Sequence, residues 1–475
     1  MRGLAIVSDN VDVLVVGGGP AGQKAAVQAA KAGKRVLLVE EMRAVGGECV
    51  QRGTIPSKTL RETAESLAAF RRRSGGVYEV NAPEEVRVAS LLTRLKTVVG
   101  AYQLTARDQL ERNGITVWQG RARFVSPHQI EVGGIDGSQR LVRAETIVLA
   151  TGSRPRRPPN VPVDHENVLD SDSILSLSYL PRSLTVLGAG VIASEYASIF
   201  AALGVQVTMI DAGPRPLGFM DPELTAVFVQ AFERAGGRFV PGRTARKVRV
   251  DAPFGVAVEL DDGSSFMADK VLCALGRQPN VAQLQLEAAE VKVSPRGYIE
   301  VDKDGRTSAP HVFAAGDVVG PPALAATAME QGRRAVCAAL GLPAGTSSDI
   351  VPVGIYTIPE MSSIGLSEAQ AREKHGDVLV GRARFDELAR GLISAADGGL
   401  LKLVADRDGK LLGVHVIGET ATELIHVGQM AMVAGLTADV FIDHVFNFPT
   451  LAEGYRVAAL DIRKQRGYAT KIKAA

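Results

Sequence analysis

The chain has few cysteines and few aromatic residues, and neither sign of charge dominates. Of its 475 residues, three are cysteines, at positions 49, 273 and 337. An odd and widely spaced set of this kind provides neither a disulfide framework nor a metal site, and it fits a reducing compartment. The 54 basic and 52 acidic side chains leave a net charge of +2, so we expect no nucleic-acid or other polyanionic partner.

A long apolar run is also missing, and we expect no N-terminal leader. No segment approaches the ~20 consecutive apolar residues that a membrane helix needs. The chain runs from Met1 almost directly into a strand, without the apolar region and cleavage site of a signal peptide. We therefore expect a cytoplasmic protein without a membrane partner. A chain of 475 residues exceeds the size of one core, so two or three domains are expected.

One supersecondary pattern occurs twice: a buried strand, a glycine-rich turn, an Ala-rich helix and a second strand that ends on an acid. The small residues and the acid are Gly17, Gly19, Gly22 and Glu40 in the first copy, and Gly188, Gly190, Ala193 and Asp211 in the second. The first glycine permits the sharp turn, the second lets a pyrophosphate approach the backbone, and the third position must be small for packing. The acid can accept from ribose hydroxyls. Two such units predict two bound dinucleotides.

The segment from Gly46 to Lys58 reads Gly-Gly-Glu-Cys-Val-Gln-Arg-Gly-Thr-Ile-Pro-Ser-Lys. It resembles the active-site segment of the FAD-dependent pyridine nucleotide disulfide oxidoreductases, in which a second cysteine precedes Ile-Pro-Ser-Lys. Cys49 matches the first cysteine, but Thr54 stands at the second position. One thiol cannot close a disulfide beside a flavin, and a hydroxyl cannot be oxidised in its place.

A second departure lies near the C-terminus. The family has a His-Pro-Thr-x-x-Glu motif, and here Phe448 stands at the histidine position while Glu453 is kept. Phe448 cannot carry a proton, and His444 is not placed at the flavin by any motif. The two departures together point away from disulfide reduction and leave Cys49 as an inert thiol, with a redox role left open.

The resemblance covers essentially the whole chain and implies a glutathione reductase-like α/β fold. This fold has two Rossmann-like dinucleotide-binding domains and a C-terminal α+β dimerisation domain. The implied domains are an FAD-binding domain at 1–155 and 281–348, an NAD(P)-binding domain at 156–280 and an interface domain at 349–475. The last implies a homodimer.

Further site residues follow from the same resemblance. Thr151 and Gly152 lie in the crossover out of the FAD domain, and Gly276 lies in the return crossover. Asp317 lies in the second FAD motif, where it would reach the ribityl chain. The residues alone also allow a helix N-cap, and the two roles are compatible. The resemblance places Lys58 near the reactive edge of the flavin, with Glu195 as its partner; an ordinary helix salt bridge is the alternative.

Within the family, the sequence is most similar to the soluble flavin-dependent pyridine nucleotide transhydrogenases. These also read Cys…Gly-Thr-Ile-Pro-Ser-Lys and have an aromatic residue before Pro-Thr. The resemblance implies FAD as cofactor, NAD and NADP as substrates, and hydride transfer between NAD(P)H and NAD(P)+ through the flavin. Cys49, Thr54, Lys58 and Glu195 are the candidate catalytic residues, and no metal is expected.

The choice of nucleotide is the open point. Asp211 can accept from the 2′-hydroxyl of NAD and repels the 2′-phosphate of NADP, whereas Arg215 could pair with that phosphate. The alternative function is therefore an NADH-specific flavoprotein reductase, or diaphorase, that acts on a quinone, a metal ion or oxygen. Overall similarity would also suggest a dihydrolipoamide dehydrogenase-like protein, against which Thr54 and Phe448 argue.

Overall fold

The computed structural model describes residues 8–73, 88–251, 254–345, 350–396 and 398–474, with only the backbone described for 468–474. The predicted domain boundary at 348–349 and the N-terminal residues 1–7 lie outside these ranges. The chain divides into two compact units. The first comprises the described residues of Met1–Thr59, Leu92–Arg156 and Gly276–Ser347, and the second those of Leu60–Leu91, Arg157–Leu275 and Ser348–Ala475.

The described residues form helices and strands with the following bounds. The α-helices are α1 (Pro20–Lys31), α2 (Gly47–Gln51), α3 (Thr54–Arg73), α4 (Val88–Arg112), α5 (Val191–Ala202), α6 (Pro222–Arg234), α7 (Ala325–Ala339), α8 (Glu368–His375), α9 (Ala389–Ser394), α10 (Ala421–Val433), α11 (Val440–Asp443) and α12 (Glu453–Ala474). The strands are β1 (Ser8–Val16), β2 (Val36–Glu40), β3 (Thr116–Ser126), β4 (Gln129–Gly134), β5 (Gln139–Leu149), β6 (Ser153–Pro155), β7 (Val168–Asp170), β8 (Ser183–Leu187), β9 (Gln206–Asp211), β10 (Arg238–Pro241), β11 (Ala245–Asp251), β12 (Gly255–Leu260), β13 (Ser265–Ala268), β14 (Lys270–Cys273), β15 (Arg277–Pro279), β16 (Val312–Ala314), β17 (Val353–Ile355), β18 (Met361–Gly365), β19 (Leu379–Arg384), β20 (Leu400–Ala405) and β21 (Leu411–Ile417).

The first unit is built on a sheet in which β1 lies between β2 and β5, parallel to both. β3 runs parallel to β2, β16 runs parallel to β5, and β4 pairs antiparallel with both β3 and β5. Val13, Leu14 and Val15 have no exposed surface, as expected for a strand covered on both faces. Because the carboxyl ends of β1, β5 and β16 meet at one edge, the segments that follow them are brought together there.

Helix α1 begins earlier than the sequence pattern predicts. We expected helix from Gln23 to Ala32, and it runs from Pro20 to Lys31. Gly19 has an extended conformation (φ −73°, ψ −173°) and is the N-cap, so Pro20 occupies the first helical position, where its fixed φ fits and its missing N–H is not needed. The glycine turn is therefore short, and the helix N-terminus lies directly beside it.

The second unit contains a five-stranded parallel sheet in the order β10-β9-β8-β14-β7. Helix α5 connects β8 to β9, and α6 connects β9 to β10. Its core joins Met209 and Phe228 with Met361 and Ile417 from the C-terminal part of the chain, all at most 1% exposed. The other sheets of this unit are the antiparallel β11-β12-β13 and β17-β18-β21-β20-β19.

A buried charge cluster joins α6 to the C-terminal sheet. The Lys402 ammonium, on a side chain that is 2% exposed, lies 3.0 Å from Asp221, 2.6 Å from Glu223 and 2.9 Å from Glu368. Asp221 also caps α6 by accepting from the backbone N–H of Glu223. Hydrogen bonds from Arg382 and then Lys402 hold the pKa of Glu223 at about 2. The cluster ties the start of α6 to β20.

The observed architecture confirms the predicted α/β class, with parallel sheets built from the two repeated patterns and a C-terminal α+β portion. The three predicted domain ranges stay a prediction. Among the helices of the described ranges, none combines the length and apolar character of a membrane span.

Candidate active site

Two positions of the first glycine turn, Gly17 and Gly22, leave no room for a side chain. Gly17 has φ +103°, and a Cβ added there would lie 2.3 Å from the carbonyl oxygen of Ala150. A Cβ on Gly22 would lie 1.8 Å from the carbonyl oxygen of Gly17. Backbone N–H groups at the start of α1 are therefore accessible to an anion at close range, as a bound pyrophosphate requires.

The acid of the first pattern is built into this turn. Glu40 is 6% exposed, and its carboxylate accepts from the backbone N–H groups of Gly18 (2.7 Å) and Met42 (2.8 Å). Burial raises the pKa of Glu40, and the two N–H groups oppose that effect. Glu40 pairs with Gln119 of β3 and lines a cavity of about 810 Å³ that also contacts Met42 and Trp118. This cavity is of a size that an adenosine half of a dinucleotide can enter.

The cysteine segment brings three predicted residues together. Cys49 lies in α2, and Thr54 is the first residue of α3, one turn before Lys58. Burial raises the pKa of the Cys49 thiol, while the Thr54 hydroxyl and the Lys58 ammonium act in the opposite direction and Asp317 adds to the increase. Lys58 also donates to Ser57 Oγ at 3.3 Å. A partly buried thiol with a raised pKa is protonated at neutral pH and is a poor nucleophile.

The predicted crossover residues meet at one point of the first unit. The Thr151 hydroxyl donates to the carbonyl oxygen of Asn280 (2.8 Å), and the Asn280 amide donates back to Thr151 O (3.0 Å). The Asn280 backbone N–H donates to Gly152 O, and Arg156 N–H donates to Gly276 O, each at 3.0 Å. These bonds join the outgoing and returning segments side by side, in line with the pairing of β6 and β15.

Asp317 is not a helix N-cap. The N-cap of the 3₁₀ turn Asp317–Val319 is Gly316, which has no capping side chain, so that alternative is wrong. The Asp317 carboxylate instead accepts from Ser153 Oγ at 2.7 Å, and Arg277 donates to Ser153 through Nε (2.7 Å) and Nη2 (2.7 Å). The sequence analysis assigned no role to Ser153, Arg277 or Asn280. The sequence indicates them only by their position: Ser153 follows Thr151 and Gly152, and Arg277 and Asn280 lie in the segment Gly276-Arg-Gln-Pro-Asn.

The second glycine turn repeats the backbone of the first. Gly188 has φ +105°, and Gly190 is an N-cap with φ −76° and ψ −171°. The Asp211 carboxylate accepts from the backbone N–H groups of Ala189 (2.9 Å) and Gly213 (2.7 Å). Asp211 therefore holds the turn and the following loop in place, which the sequence analysis did not foresee.

Arg215 does not have the orientation expected for a phosphate partner. Its guanidinium donates to Met220 O (2.9 Å), to Gly218 O (2.6 Å) and to Thr225 Oγ1 (3.4 Å). These bonds fold Arg215 onto its own loop. The expectation that Arg215 pairs with a 2′-phosphate is thus disfavoured by the arrangement of this loop.

Glu195 is buried in α5 of the second unit. It is 5% exposed, and its Oε1 accepts from the backbone N–H of Tyr356 at 2.9 Å. Ser198, one turn along, accepts from the N–H of Ile358 at 3.1 Å. Lys58 belongs to the first unit, so its pairing with Glu195 stays a prediction. Tyr356 was missed by the sequence analysis, because it is 161 residues from Glu195.

The C-terminal pair of the disulfide-reducing family members is incomplete here. Phe448 is 73% exposed, and Glu453 opens α12. His444 is exposed, and its Nδ1 lies 3.0 Å from Val440 O. That contact is consistent with a surface histidine and gives it no part in the site.

The candidate site thus combines two glycine turns of nearly the same backbone with a segment that carries a single cysteine. The family model described as pyridine nucleotide-disulphide oxidoreductase matches residues 11–332, and the model of its dimerisation domain matches residues 351–459. The chain therefore belongs to the pyridine nucleotide-disulphide oxidoreductase family and is an oxidoreductase. The family uses flavin and pyridine nucleotides.

Several relatives are similar over almost the whole chain. A soluble pyridine nucleotide transhydrogenase of Mycobacterium bovis is 43% identical over 95% of this chain and 97% of its own length. One from a Marinomonas species is 40% identical over 95% and 97%.

Two solved structures share the fold. LpdA of Mycobacterium tuberculosis has a TM-score of 0.88 at 27% identity, covering 95% of this chain and 99% of its own. The HOCl-induced flavoprotein disulfide reductase RclA of Escherichia coli has a TM-score of 0.85 at 27% identity, covering 94% and 99%.

Proposed function

We propose that this enzyme is an FAD-dependent transhydrogenase that transfers hydride between NAD(P)H and NAD(P)+. The observation that carries the proposal is the combination of two complete dinucleotide turns with a single thiol at the active-site segment. Thr54 stands where a dithiol enzyme needs its second sulfur, and the pKa of Cys49 is raised by burial. The names of the relatives at 40–43% identity support the same function and do not favour the diaphorase alternative.

The first unit fits FAD as its resident cofactor. The glycine turn admits backbone contact where a Cβ would clash, and Gly17, Gly19 and Gly22 would hold the pyrophosphate. Glu40 would hold the adenosine ribose beside the cavity, and Asp317 would contact the ribityl chain. Thr151, Gly152 and Gly276 would support the crossover beside it. When bound, the flavin would supply the centre that accepts hydride from one nucleotide and returns it to the other.

In this scheme the residues of the chain bind the nucleotides, orient the reacting rings and exclude water from them. Gly188, Gly190 and Asp211 would hold the exchanging nucleotide at the start of α5. Lys58 would place a positive charge beside the reacting ring, where developing negative charge is stabilised. Glu195, fixed by the N–H of Tyr356, would position Lys58. With Phe448 at the histidine position, the site has no proton carrier from that motif, and hydride exchange between nucleotides needs none.

The arrangement of domains and subunits belongs to the same proposal. We infer an FAD-binding domain at 1–155 and 281–348, an NAD(P)-binding domain at 156–280 and an interface domain at 349–475. The match of residues 351–459 to a dimerisation domain supports a homodimer. Exposed apolar side chains of this portion, among them Met430, Val445 and Phe448, are consistent with a surface that becomes covered.

The test is anaerobic NADPH oxidation with thio-NAD+ as acceptor, run beside the same assay with NADH as donor. We expect turnover with both donors and parallel-line initial-rate plots, because one nucleotide leaves before the other binds. Flavin reduction by NADH alone, with no transfer to thio-NAD+, would contradict the proposal and favour an NADH-specific reductase. A matched control is reduction of a disulfide substrate such as lipoamide, for which we expect no activity.

A further inference from the structure

A turn of the second unit lies against the backbone of Asp211. The backbone N–H of Arg243 donates to the carbonyl oxygen of Asp211 at 3.0 Å, and Gly242 N–H donates to Gly213 O at 3.2 Å. These bonds extend the parallel pairing of β10 with β9, in which Pro241 is opposite Asp211. The turn that carries Arg243 is thus fixed beside the acid that would face the adenosine ribose of the exchanging nucleotide.

The side chain of Arg243 is available at the surface. Its Nε lies 2.7 Å from Asp262, and the two side chains are 44% and 35% exposed. Asp262 uses its other oxygen to accept from the N–H and hydroxyl of Ser264, so it stays ordered without Arg243. Ion pairs exposed to this degree contribute little to stability. An incoming dianion can therefore replace Asp262 as the partner of Arg243.

The neighbouring arginines make contacts elsewhere. Arg215 donates to the carbonyl oxygens of Met220 and Gly218 in its own loop and to Thr225 Oγ1 of α6. Arg238 lies over the ring of Phe266 at 5.5 Å, and Arg246 is paired with Glu259 across the β11–β12 ladder. Of these arginines, Arg243 is the one whose backbone is bonded to Asp211.

We propose that Arg243 recognises the 2′-phosphate of NADP(H), exchanging its contact with Asp262 for one with the phosphate. This inference rests on the proposed function, because a transhydrogenase must accept both nucleotides although Asp211 disfavours the phosphate. An arginine guanidinium matches phosphate oxygens with two parallel N–H donors. With NAD(H), Arg243 keeps Asp262, and the 2′-hydroxyl faces Asp211. One site thus serves both nucleotides by a change of partner at a single arginine.

The test compares Arg243→Ala and Arg243→Lys with Arg246→Ala as the matched surface control. Binding of 2′,5′-ADP and of 5′-AMP to the flavin-containing protein is measured by calorimetry, beside KM and kcat for NADPH and NADH. We expect Arg243→Ala to weaken 2′,5′-ADP binding and raise the KM for NADPH about tenfold or more, since a charge-assisted hydrogen bond is lost. Values for 5′-AMP and NADH stay within about twofold. Arg243→Lys recovers part of the loss, and Arg246→Ala changes neither.

Asp262→Asn provides the opposite change. It keeps an oxygen for Ser264 and removes the negative charge that competes for Arg243, so 2′,5′-ADP binding tightens. Equal losses for both ligands in Arg243→Ala would overturn the inference and leave Arg243 as a loop residue. An unchanged 2′,5′-ADP affinity would overturn it as well, as would a wild-type protein that binds 2′,5′-ADP no better than 5′-AMP.

These binding experiments involve no hydride transfer. Selective loss of 2′,5′-ADP binding in Arg243→Ala, in a protein without transhydrogenase activity, would uphold the inference and reject the proposed function.

Discussion

The two dinucleotide turns have the same backbone and different side chains. Gly17 and Gly188 have φ of +103° and +105°, and the N-caps Gly19 and Gly190 differ by only a few degrees. In each turn the acid at the end of the second strand accepts from a backbone N–H of the glycine loop. The shared geometry is therefore built by the same local interactions twice.

Under the proposed function, the differences between the two turns would distinguish the site of a resident ligand from that of an exchanging one. In the first turn the third small position is Gly22, where a Cβ would meet Gly17 O at 1.8 Å, whereas the second turn accommodates the methyl of Ala193. Glu40 is 6% exposed, but Asp211 is only partly buried. A tighter turn with a more buried acid suits a cofactor that stays bound through many turnovers, and a looser one suits a substrate that must leave.

The largest expected effect is that of Gly22→Ala. The added methyl has no space against Gly17 O. We therefore expect the turn to be destabilised by at least about 3 kcal/mol, which is the upper end for overpacking. The variant should then purify without flavin. The ratio of flavin absorbance to protein absorbance gives the flavin content of each purified variant. The matched change Ala193→Gly should cost about 1 kcal/mol and retain full flavin. Equal flavin loss in both variants would mean that the turns do not differ as described.

A smaller effect is expected for Glu40→Gln. A glutamine keeps an acceptor for only one of the N–H groups of Gly18 and Met42. Its amide NH₂, a donor, then faces the other N–H group. This leaves a buried group unsatisfied at about 1–3 kcal/mol. Flavin affinity should fall about tenfold or more, as measured by apoprotein titration with FAD. Nucleotide KM values of the flavin-loaded variant should not change, and a change there would place Glu40 at the wrong dinucleotide.

Asp211→Asn is the matching change in the second turn. It removes the charge that repels a 2′-phosphate and keeps an acceptor for one of the N–H groups of Ala189 and Gly213. We expect kcat/KM for NADPH relative to NADH to rise about tenfold, which corresponds to ~1.4 kcal/mol, with flavin content unchanged. Equal losses with both nucleotides would show that Asp211 acts only as a support for the loop.

The smallest effect is expected for Cys49→Ser. Because burial raises the pKa of Cys49, its thiolate fraction at any given pH is below that of a free thiol, whose pKa is about 8.5. Hydride exchange should stay within about twofold of the unmodified enzyme. Iodoacetamide should label Cys49 slowly at pH ~7 and faster only as the pH rises above the free-thiol range. Rapid labelling at neutral pH, or a large loss of exchange in the serine variant, would give the lone thiol a catalytic role.

The sequence was sufficient for features that depend on neighbouring residues. The order of strand, glycine turn, helix and acid predicted both turns, because each is closed by contacts within about one βαβ unit. The start of α1 was placed three residues too late, at Gln23 instead of Pro20. The apolar pattern shows where the buried face of the helix lies, whereas the helix itself begins directly after its N-cap, Gly19.

Contacts between distant parts of the chain could not be predicted in this way. Ser153 meets Asp317 across 164 residues, and Glu195 meets Tyr356 across 161. The inward fold of Arg215 depends on the carbonyl groups of its loop, which no residue type reveals. The N-cap alternative for Asp317 was wrong for a local reason, because the preceding residue, Gly316, is the cap.

The buried cluster at Lys402 determines where the chain can be divided. Asp221 has no exposed side-chain surface, and the ammonium that balances it comes from β20, 181 residues along the chain. A fragment containing the second parallel sheet alone would expose the apolar surface otherwise packed against Met361 and Ile417 and leave the carboxylates of Asp221 and Glu223 without their lysine. The parallel sheet of the second unit, with its helices, therefore looks like an independent domain in sequence. We nevertheless expect that it cannot be expressed alone or transferred to another protein.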